Sequence, residues 1–308
     1  GGGGGRAPAR AQDDGATLAV DADDPVARRV AAGAQADLAA VERSWDEKRK
    51  RLRSEIVVAD VRALSSFFAM TPAEGGWRVA VVDAADEMNR HAANAVLKIL
   101  EEPPRRGLLL LVSHAPGRLL PTIRSRCRRL ALDPLAAADV AALLAARAPH
   151  IGDGDRQLLA AVAEGSFGRA LGIAEHGGVE LLGELIEALS PLPDLDPARL
   201  HELGDRFARR GADGGYEVFA ELLLWWLARF VRHAARHEAP PPLVAGEEAL
   251  ARRLAERGGL EQWVDVWEKV ARFLARAEAM NLDRKQVVPI VFHALSETAR
   301  GRSPTLPD

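Results

Sequence analysis

Asp83 and Asp86 are the first residues of the chain whose type and position could do phosphate chemistry. Asp83 follows directly on the apolar run 78–82, which predicts a buried strand. A carboxylate at the end of such a strand, just before a helix, is typical of a magnesium–nucleotide site, because the metal needs an oxygen ligand there. The pattern therefore predicts part of a nucleotide site at this strand end.

The complementary part of such a site is not found in the sequence. The phosphate cradle would be a Gly-rich loop ending in Gly-Lys-Ser/Thr, and the chain contains no Gly-Lys dipeptide. An active ATPase of this type usually also has a glutamate after the strand-end aspartate to orient water, where this chain has Ala84. The chain thus carries half of a nucleotide site, and the catalytic position of that half is an alanine.

A second candidate is the turn Ser125-Arg126-Cys127, which follows Pro121. One interpretation is a basic turn that simply faces solvent. The functional interpretation is that Arg126 points at a phosphate, because its planar guanidinium is always charged and matches phosphate oxygens. Such an arginine finger can be supplied in trans by a neighbouring subunit.

A βαβ unit positions these residues. After the 78–82 strand, apolar residues recur at helical spacing from Met88 to Leu100, and Pro103-Pro104 end that helix. A second apolar run, 108–112, predicts another strand. Runs as continuously apolar as these two predict strands buried on both faces, which indicates a parallel sheet. Ligands of such sheets bind at the carboxyl ends of the strands, so Ser113 joins Asp83 as a candidate.

The basic run 48–53 interrupts the region before this unit. It is interpreted either as a solvated loop or helix end, or as a loop that faces DNA. From residue 135 onward every periodic segment predicts helix. The tryptophans and phenylalanines of these helices predict core or helix–helix interface positions.

Composition narrows the classes of protein. The 308 residues are 48% apolar and 28% charged with a formal net charge of -3, as in ordinary globular proteins. The single cysteine, Cys127, excludes a disulfide framework and a thiolate-rich zinc site. Because no apolar run is long enough to span a membrane and no signal peptide opens the chain, we expect a cytoplasmic protein without membrane partners.

Taken together, three segments resemble the clamp-loader subunits of bacterial DNA polymerase III, which are AAA+ proteins. The segments are Val82–Asn89, Ala92–Pro104 and His114–Cys127. The likeness is strong over 54–134 and weak through the remaining helices. Many relatives bind structural zinc through four cysteines, and this chain has only one, so we expect no zinc.

The resemblance implies an α/β plus all-α fold class, with a parallel-sheet P-loop-type AAA+ module followed by helices. The expected divisions are a flexible N-terminal segment at 1–16, the module at 17–134, a helical lid at 135–177, a helical collar at 178–301 and a tail at 302–308. The family's first strand and phosphate loop are not found upstream, so the module is expected to be incomplete at its N-terminus.

The resemblance also implies a role. Ala84 favours the non-catalytic stator type of subunit over the ATP-hydrolysing motor type. Arg126 is then the finger that reaches ATP-Mg of the adjacent subunit, with Ser125 and Cys127 as its scaffold. A degenerate nucleotide site would contain Asp83, Asp86, Ser113 and Arg169, although Arg169 lies one place later than the sensor arginine of motor subunits.

The implied assembly is a hetero-pentameric ring. Its expected partners are the gamma/tau motor subunits, the delta subunit, the sliding clamp and primer-template DNA. No cofactor is expected to bind tightly to this chain, and no intrinsic enzymatic activity is expected outside the polymerase holoenzyme. Two alternatives stay open, a truncated motor subunit that hydrolyses its own ATP and an AAA+-derived adaptor outside replication.

Overall fold

The computed structural model describes residues 20, 21, 23–47, 50–208 and 213–307. The predictions for 1–16 and for Lys48 and Arg49 of the basic run therefore lie outside the described residues. The chain divides into two compact units, Gly1–Ala131 and Leu132–Asp308. The first is an α/β unit with a parallel sheet and the second is all-α in its described part, which confirms the predicted fold class.

The first unit alternates strands and helices. Its strands are β1 Leu38–Val41, β2 Trp45–Asp46, β3 Arg51–Leu52, β4 Arg78–Val82 and β5 Gly107–Leu111. Its α-helices in the described residues are α1 Pro25–Ala31, α2 Val58–Ala69, α3 Arg90–Glu101 and α4 Pro121–Arg124. Short 3₁₀ turns at Ala85–Glu87 and Pro116–Arg118 follow β4 and β5.

The parallel sheet has the order β1-β4-β5. Val41 pairs with Val82, and Val82 pairs with Leu111, so the three strands end in register. The helix α3 makes the crossover from β4 to β5, as a parallel pair requires. Apolar residues of the sheet and of α2 and α3 form one core, including Val61, Ala80 and Val96. The predicted βαβ unit is therefore present, and the carboxyl ends of its strands share one edge.

The run 108–112, most of which lies in β5, is predicted to be buried on both faces, and this prediction is wrong for one face. Leu109 and Leu111 pack against the core, whereas Leu108 and Leu110 are 43% and 45% exposed. The physical reason is that successive side chains of a strand point to opposite faces, and the face that carries Leu108 and Leu110 is left uncovered in the described residues. The strand β5 also lies at the edge of the described sheet. An exposed apolar edge strand is a surface on which other chains can pair.

An ion pair anchors the opposite, amino-terminal end of the sheet. The carboxylate of Asp37, just before β1, accepts hydrogen bonds from the backbone N–H groups of Ala73 (2.9 Å) and Glu74 (3.1 Å). Arg78 Nε lies 3.4 Å from the same carboxylate, and Arg78 also donates to the Thr71 carbonyl at 3.0 Å. These contacts lower the pKa of Asp37, the Ala73 N–H most strongly. They tie the loop after α2 to the start of β1 and β4.

Two residues of the basic run form β3, Arg51–Leu52, which pairs antiparallel with β2 in a small hairpin. For these two residues a loop or helix end is wrong, whereas Lys50 lies in a turn and Arg53 outside the strand, as in a loop. Leu52 is 53% exposed on this hairpin. The interpretation as a DNA-facing element stays a prediction.

Nine helices are described in the second unit. They are α5 Ala137–Arg147, α6 Asp153–Val162, α7 Phe167–Glu175, α8 Gly178–Leu189, α9 Pro197–Phe207, α10 Asp213–Ala234, α11 Glu247–Ala255, α12 Leu260–Met280 and α13 Arg284–Ala299. One continuous core extends from Val140 to Ala299. The predicted boundaries at 134/135 and 177/178 stay predictions. No helix of the described part combines the length and apolar character needed to cross a membrane.

Aromatic side chains occupy the centre of this helical core, as predicted. Trp226 stacks on Phe230 with ring centroids 5.6 Å apart, and Phe230 meets Trp263 edge-on at 5.2 Å. All three are about fully buried. Aromatic pairs in these arrangements add to the free energy gained from burying their area.

A buried ion pair fixes the loop that follows α10. Glu247 is 1% exposed and pairs with Arg229 on α10. The second oxygen of Glu247 accepts the Leu243 backbone N–H at 2.7 Å, while Arg229 also donates to the Pro241 carbonyl. Each charge therefore has a partner, which a buried charge requires.

We expect Glu247→Ala to lower the free energy of unfolding by about 3–5 kcal/mol, because it leaves the Arg229 charge buried without its carboxylate. Urea denaturation of the full chain measures this difference. Glu248→Ala is the matched control, since Glu248 lies next in sequence but is half exposed in its pair with Arg252. The control is expected to change stability by about 0.5 kcal/mol or less. Equal losses of stability in the two variants would contradict the stabilising role of the buried pair between Glu247 and Arg229.

Candidate functional site

The ends of β4 and β5 bring the predicted strand-end residues to one edge. Asp83 N–H donates to the Val41 carbonyl at 2.9 Å, and Val112 N–H donates to the Val82 carbonyl at 3.0 Å. These backbone bonds continue the sheet one residue beyond the strands on both sides of β4. The loops that carry Asp83, Asp86 and Ser113 are therefore neighbours because the strands end in register.

Asp86 connects the two loops. Its Oδ1 accepts the His114 backbone N–H at 3.0 Å and its Oδ2 accepts the Ala115 N–H at 3.2 Å. Burial by itself would raise the pKa of Asp86. The Ser113 side chain and the backbone N–H groups of Asp86, His114 and Ala115 outweigh burial and lower the pKa. The carboxylate is thus held as an anion that positions the segment after β5.

Asp83 differs from Asp86 in its surroundings. It is exposed, and among the described residues its carboxylate makes no hydrogen bond or ion pair. The next residue, Ala84, is only 5% exposed, so the position where an ATPase would carry its water-orienting glutamate faces the core. Asp83 is the candidate with a free carboxylate for a cation.

A magnesium–nucleotide pair needs more than this edge provides. Phosphates require a cradle of backbone N–H groups with a lysine, and the described residues contain no Gly-rich loop with an adjoining lysine at this edge. Both oxygens of Asp86 already accept N–H groups. The described part of the chain therefore does not fit a complete nucleotide site, and its roles toward nucleotide stay predictions.

Arg126 lies just past the short helix α4. Pro121 occupies the first turn of α4, where its fixed φ angle favours helix, and Ile123 anchors the helix with 1% of its surface exposed. The Ser125 and Arg126 N–H groups donate to the Pro121 and Ile123 carbonyls at 2.9 Å and 3.0 Å. These two bonds fix the backbone in a turn at the end of α4, and the Arg126 side chain lies on the surface.

The Arg126 guanidinium has two partners. Nη1 donates to the Thr122 carbonyl at 3.1 Å, and Nη2 lies 3.0 Å from Glu101 Oε1 at the end of α3. The two side chains are 39% and 52% exposed. Sequence alone did not identify Glu101 as a partner, and its only signal was its place two residues before the helix-ending Pro103.

Ser125 and Cys127 flank Arg126, and their surroundings indicate a structural role. Ser125 Oγ donates to the Thr122 carbonyl at 3.1 Å, so Ser125 and Arg126 share one acceptor. Cys127 is half-buried, and burial raises the pKa of its thiol. A thiol of this kind is a poor nucleophile. These contacts suit a scaffold around Arg126, which stays a prediction.

Arg169 belongs to the second unit. It lies in the first turn of α7, where its N–H donates to Ser166 Oγ at 3.3 Å. Its guanidinium pairs with Glu221 on α10, and Nη1 lies 3.4 Å from Glu164 Oε2. Both carboxylates belong to the same unit. Arg169 thus has internal partners, and its predicted nucleotide-sensing role stays a prediction.

Comparisons with known proteins agree with the sequence motifs. Residues 12–136 match the family described as "DNA polymerase III, delta subunit". The subunit delta' of Pseudomonas aeruginosa DNA polymerase III is 46% identical over 98 residues, which is 32% of this chain and 28% of that protein. The subunit tau of Escherichia coli DNA polymerase III is 36% identical over 127 residues, which is 40% of this chain and 20% of that protein.

The chain therefore aligns with about a quarter of the length of these relatives. A crystal structure of a DNA polymerase III gamma subunit-related protein from Thermotoga maritima covers 86% of this chain and 84% of its own, at 23% identity and a TM-score of 0.42. The sequence matches support a relationship to the clamp-loader subunits of DNA polymerase III as a group, with delta', tau and gamma all represented.

We expect Asp86→Asn to lower the free energy of unfolding at neutral pH by about 1–3 kcal/mol, because the amide keeps one acceptor oxygen and turns a donor NH₂ group toward the other loop N–H group. The lowered pKa of Asp86 means that its stabilisation is complete above the unfolded value of about 3.9 and is lost as pH falls through the folded value. Denaturation at several pH values should therefore show the two proteins converging in acid.

Asp83→Asn is the control for this experiment, because the Asp83 carboxylate is exposed. It should leave the pH profile of stability close to that of the wild-type chain. If the difference in stability between Asp86→Asn and wild type does not shrink as the pH falls below the unfolded pKa of about 3.9, the lowered pKa of Asp86 is contradicted.

Proposed function

We propose that the chain acts as a delta'-type stator of a DNA polymerase III clamp loader and supplies Arg126 in trans to the ATP-Mg of an adjacent motor subunit. The observation that carries this proposal is the Arg126 side chain. It lies on the surface, on a turn fixed by backbone hydrogen bonds, with one side-chain partner that is itself half exposed.

The chemistry of Arg126 supports a role toward phosphate. A guanidinium has five N–H donors, and the contacts to Thr122 and Glu101 engage only part of them. An exposed ion pair contributes only about 0.2–1 kcal/mol, so a phosphate group can displace Glu101 at small cost. The turn fixes the backbone of Arg126, while its guanidinium can exchange Glu101 for a phosphate group.

The strand-end residues support a subunit that does not hydrolyse ATP itself. Ala84 faces the core at the position of the water-orienting glutamate. Asp86 accepts hydrogen bonds from the loop after β5. Asp83 alone retains a free carboxylate among the three strand-end candidates, so a degenerate site of Asp83, Asp86, Ser113 and Arg169 would at most hold nucleotide weakly.

The wider role follows from the relatives by analogy. The expected partners are the gamma/tau and delta subunits in a hetero-pentameric ring that places the sliding clamp on primer-template DNA. The helices beyond residue 177 would form the collar of that ring. In this arrangement the chain is a fixed member of the ring and supplies one arginine, and the motor subunits bind the ATP and its magnesium.

A motor subunit of the gamma/tau type is the second candidate. The alignment with E. coli tau favours it, because it extends over more of this chain than the alignment with the P. aeruginosa delta' does. In that role Asp83 would hold magnesium for the chain's own ATP. The two candidates differ in whether the chain turns over ATP by itself.

We expect Arg126→Ala to lower single-turnover ATP hydrolysis at the adjacent motor site by about 10³-fold, since arginine fingers contribute that much in other NTPases. The measurement uses a loader reconstituted with this chain, the clamp and primed DNA. Arg124→Ala is the matched control, because Arg124 is an exposed arginine on the same short helix. Intact assembly with unchanged turnover in Arg126→Ala would refute the finger.

We expect no ATP turnover by the chain alone, because Ala84 cannot orient water. Hydrolysis is measured with the purified chain, with Asp83→Asn as the control for contaminating ATPases. Turnover that disappears in Asp83→Asn would instead establish the motor-type role. Failure of the chain to assemble with gamma/tau and delta would reject both candidates in favour of an adaptor outside replication.

A further inference from the structure

The described residues of the tail, 302–307, begin at a sharp turn after α13. Gly301 has a φ angle of +76°, a left-handed conformation that glycine adopts without steric cost. Its N–H donates to the Thr298 carbonyl at 2.9 Å, and the Arg302 N–H donates to the Glu297 carbonyl at 2.9 Å. This pair of bonds is a Schellman motif, which ends a helix. The tail therefore leaves α13 in a fixed direction, and nothing in the proposed clamp-loader role uses it.

Three side chains of α12 hold the tail by its backbone. The acceptors are all carbonyl groups, which any extended peptide also has. We call the three side chains that donate to them the donor stripe. The bonds run from Gln262 Nε2 to the Gly301 carbonyl (3.1 Å), from Lys269 Nζ to the Pro304 carbonyl (3.0 Å) and from Arg276 to the Pro307 carbonyl.

The spacing of the donors matches that of the acceptors. The donors are seven residues apart, so they lie on one side of α12 and each step rises about 10.5 Å. The acceptors are three residues apart, and three residues of a polyproline II helix complete one turn and rise about 9.3 Å. Pro304 and Pro307 favour the φ angle of that conformation. The donor stripe is therefore spaced for an extended, proline-containing backbone.

Two side chains of the tail point inward between these bonds. Pro304 is buried, and Leu306 packs against the core of the helical unit. Ser303, Thr305 and Pro307 are exposed. The side chains that this site can select are therefore a proline and an apolar residue two positions later.

The donor stripe is held in place by contacts that do not involve the tail. The side-chain oxygen of Gln262 accepts the Gly259 N–H at 2.9 Å, at the start of α12. Lys269 Nζ lies 2.8 Å from Asp265 Oδ2, one turn earlier on the same helix. Donors that are already ordered lose less conformational freedom when a peptide binds. The stripe is thus a preformed site rather than a product of the tail.

We infer that the donor stripe is a binding site for extended peptides with the pattern proline, any residue, apolar residue, and that the chain's own tail occupies it in cis. An extended segment of a partner protein with this pattern binds there when it displaces the tail. Because the tail belongs to the same chain, its effective concentration at the site is high. It therefore competes with such a segment and keeps the site filled when no partner is present.

The test is fluorescence anisotropy with the full chain and a labelled, C-terminally amidated peptide of residues 301–307. Leu306→Asp in the full chain releases the tail, because it places a charge where an apolar side chain packs, and it leaves the donor stripe intact. We expect the peptide to bind this variant saturably with a dissociation constant of about 0.1 mM. The wild-type chain should bind it about tenfold more weakly, because its own tail competes. The same peptide carrying Leu306→Asp is the control and should not bind.

Lys269→Met and Arg276→Gln, each added to Leu306→Asp, are expected to weaken peptide binding about tenfold, because each removes a charged donor. Arg272→Met is the matched control, since Arg272 is an exposed cation of α12 outside the donor stripe. Circular dichroism reports whether each variant is folded.

Three outcomes would overturn the proposal. Unfolding of the Leu306→Asp chain would mean that the tail is part of the core and is not exchangeable. Absence of peptide binding to the folded Leu306→Asp chain, or equal binding by the stripe variants and the Arg272→Met control, would mean that the stripe recognises no peptide. Wild-type dimers that dissociate in Leu306→Asp would mean that the tail of a second copy fills the site instead of the tail in cis.

Discussion

The Asp86 carboxylate is the contact on which the strand-end edge depends. It reaches from the turn after β4 to the backbone N–H groups after β5, so two segments joined only through α3 and a strand share one anion. Because both of its oxygens are used in this way, Asp83 is the one of the two aspartates after β4 whose carboxylate stays exposed. The same contact that orders the edge therefore weakens it as a metal site.

The two ends of the sheet use carboxylates in the same way. Asp37 at the amino end accepts two backbone N–H groups and pairs with Arg78, and Asp86 does the equivalent at the carboxyl end without an arginine. In each case a loop that has no secondary structure of its own is fixed by one anion. Arg126 needs a backbone of this rigidity, because a finger acts only if its position is set in advance.

The local sequence pattern predicted the helices and strands, but it could not predict which side chains distant in sequence are in contact. The strands, α3 and the exposed turn at Arg126 follow from apolar periodicity and from proline, which act over a few residues. The pairing of Glu101 with Arg126 depends on how α4 packs near the end of α3, so no spacing rule reports it. The exposure of Leu108 and Leu110 was missed for a related reason, since an apolar run does not tell whether a neighbouring element covers it.

The contact between Arg126 and Glu101 has a consequence for ionic strength. A bare surface arginine that binds a phosphate gains an ion pair, and salt weakens that gain by screening. Here one ion pair is exchanged for another, so salt screens the starting contact as well as the final one. The approach of phosphate to Arg126 should therefore depend less on salt than charge alone suggests, and it should favour the dianion that outcompetes a single carboxylate.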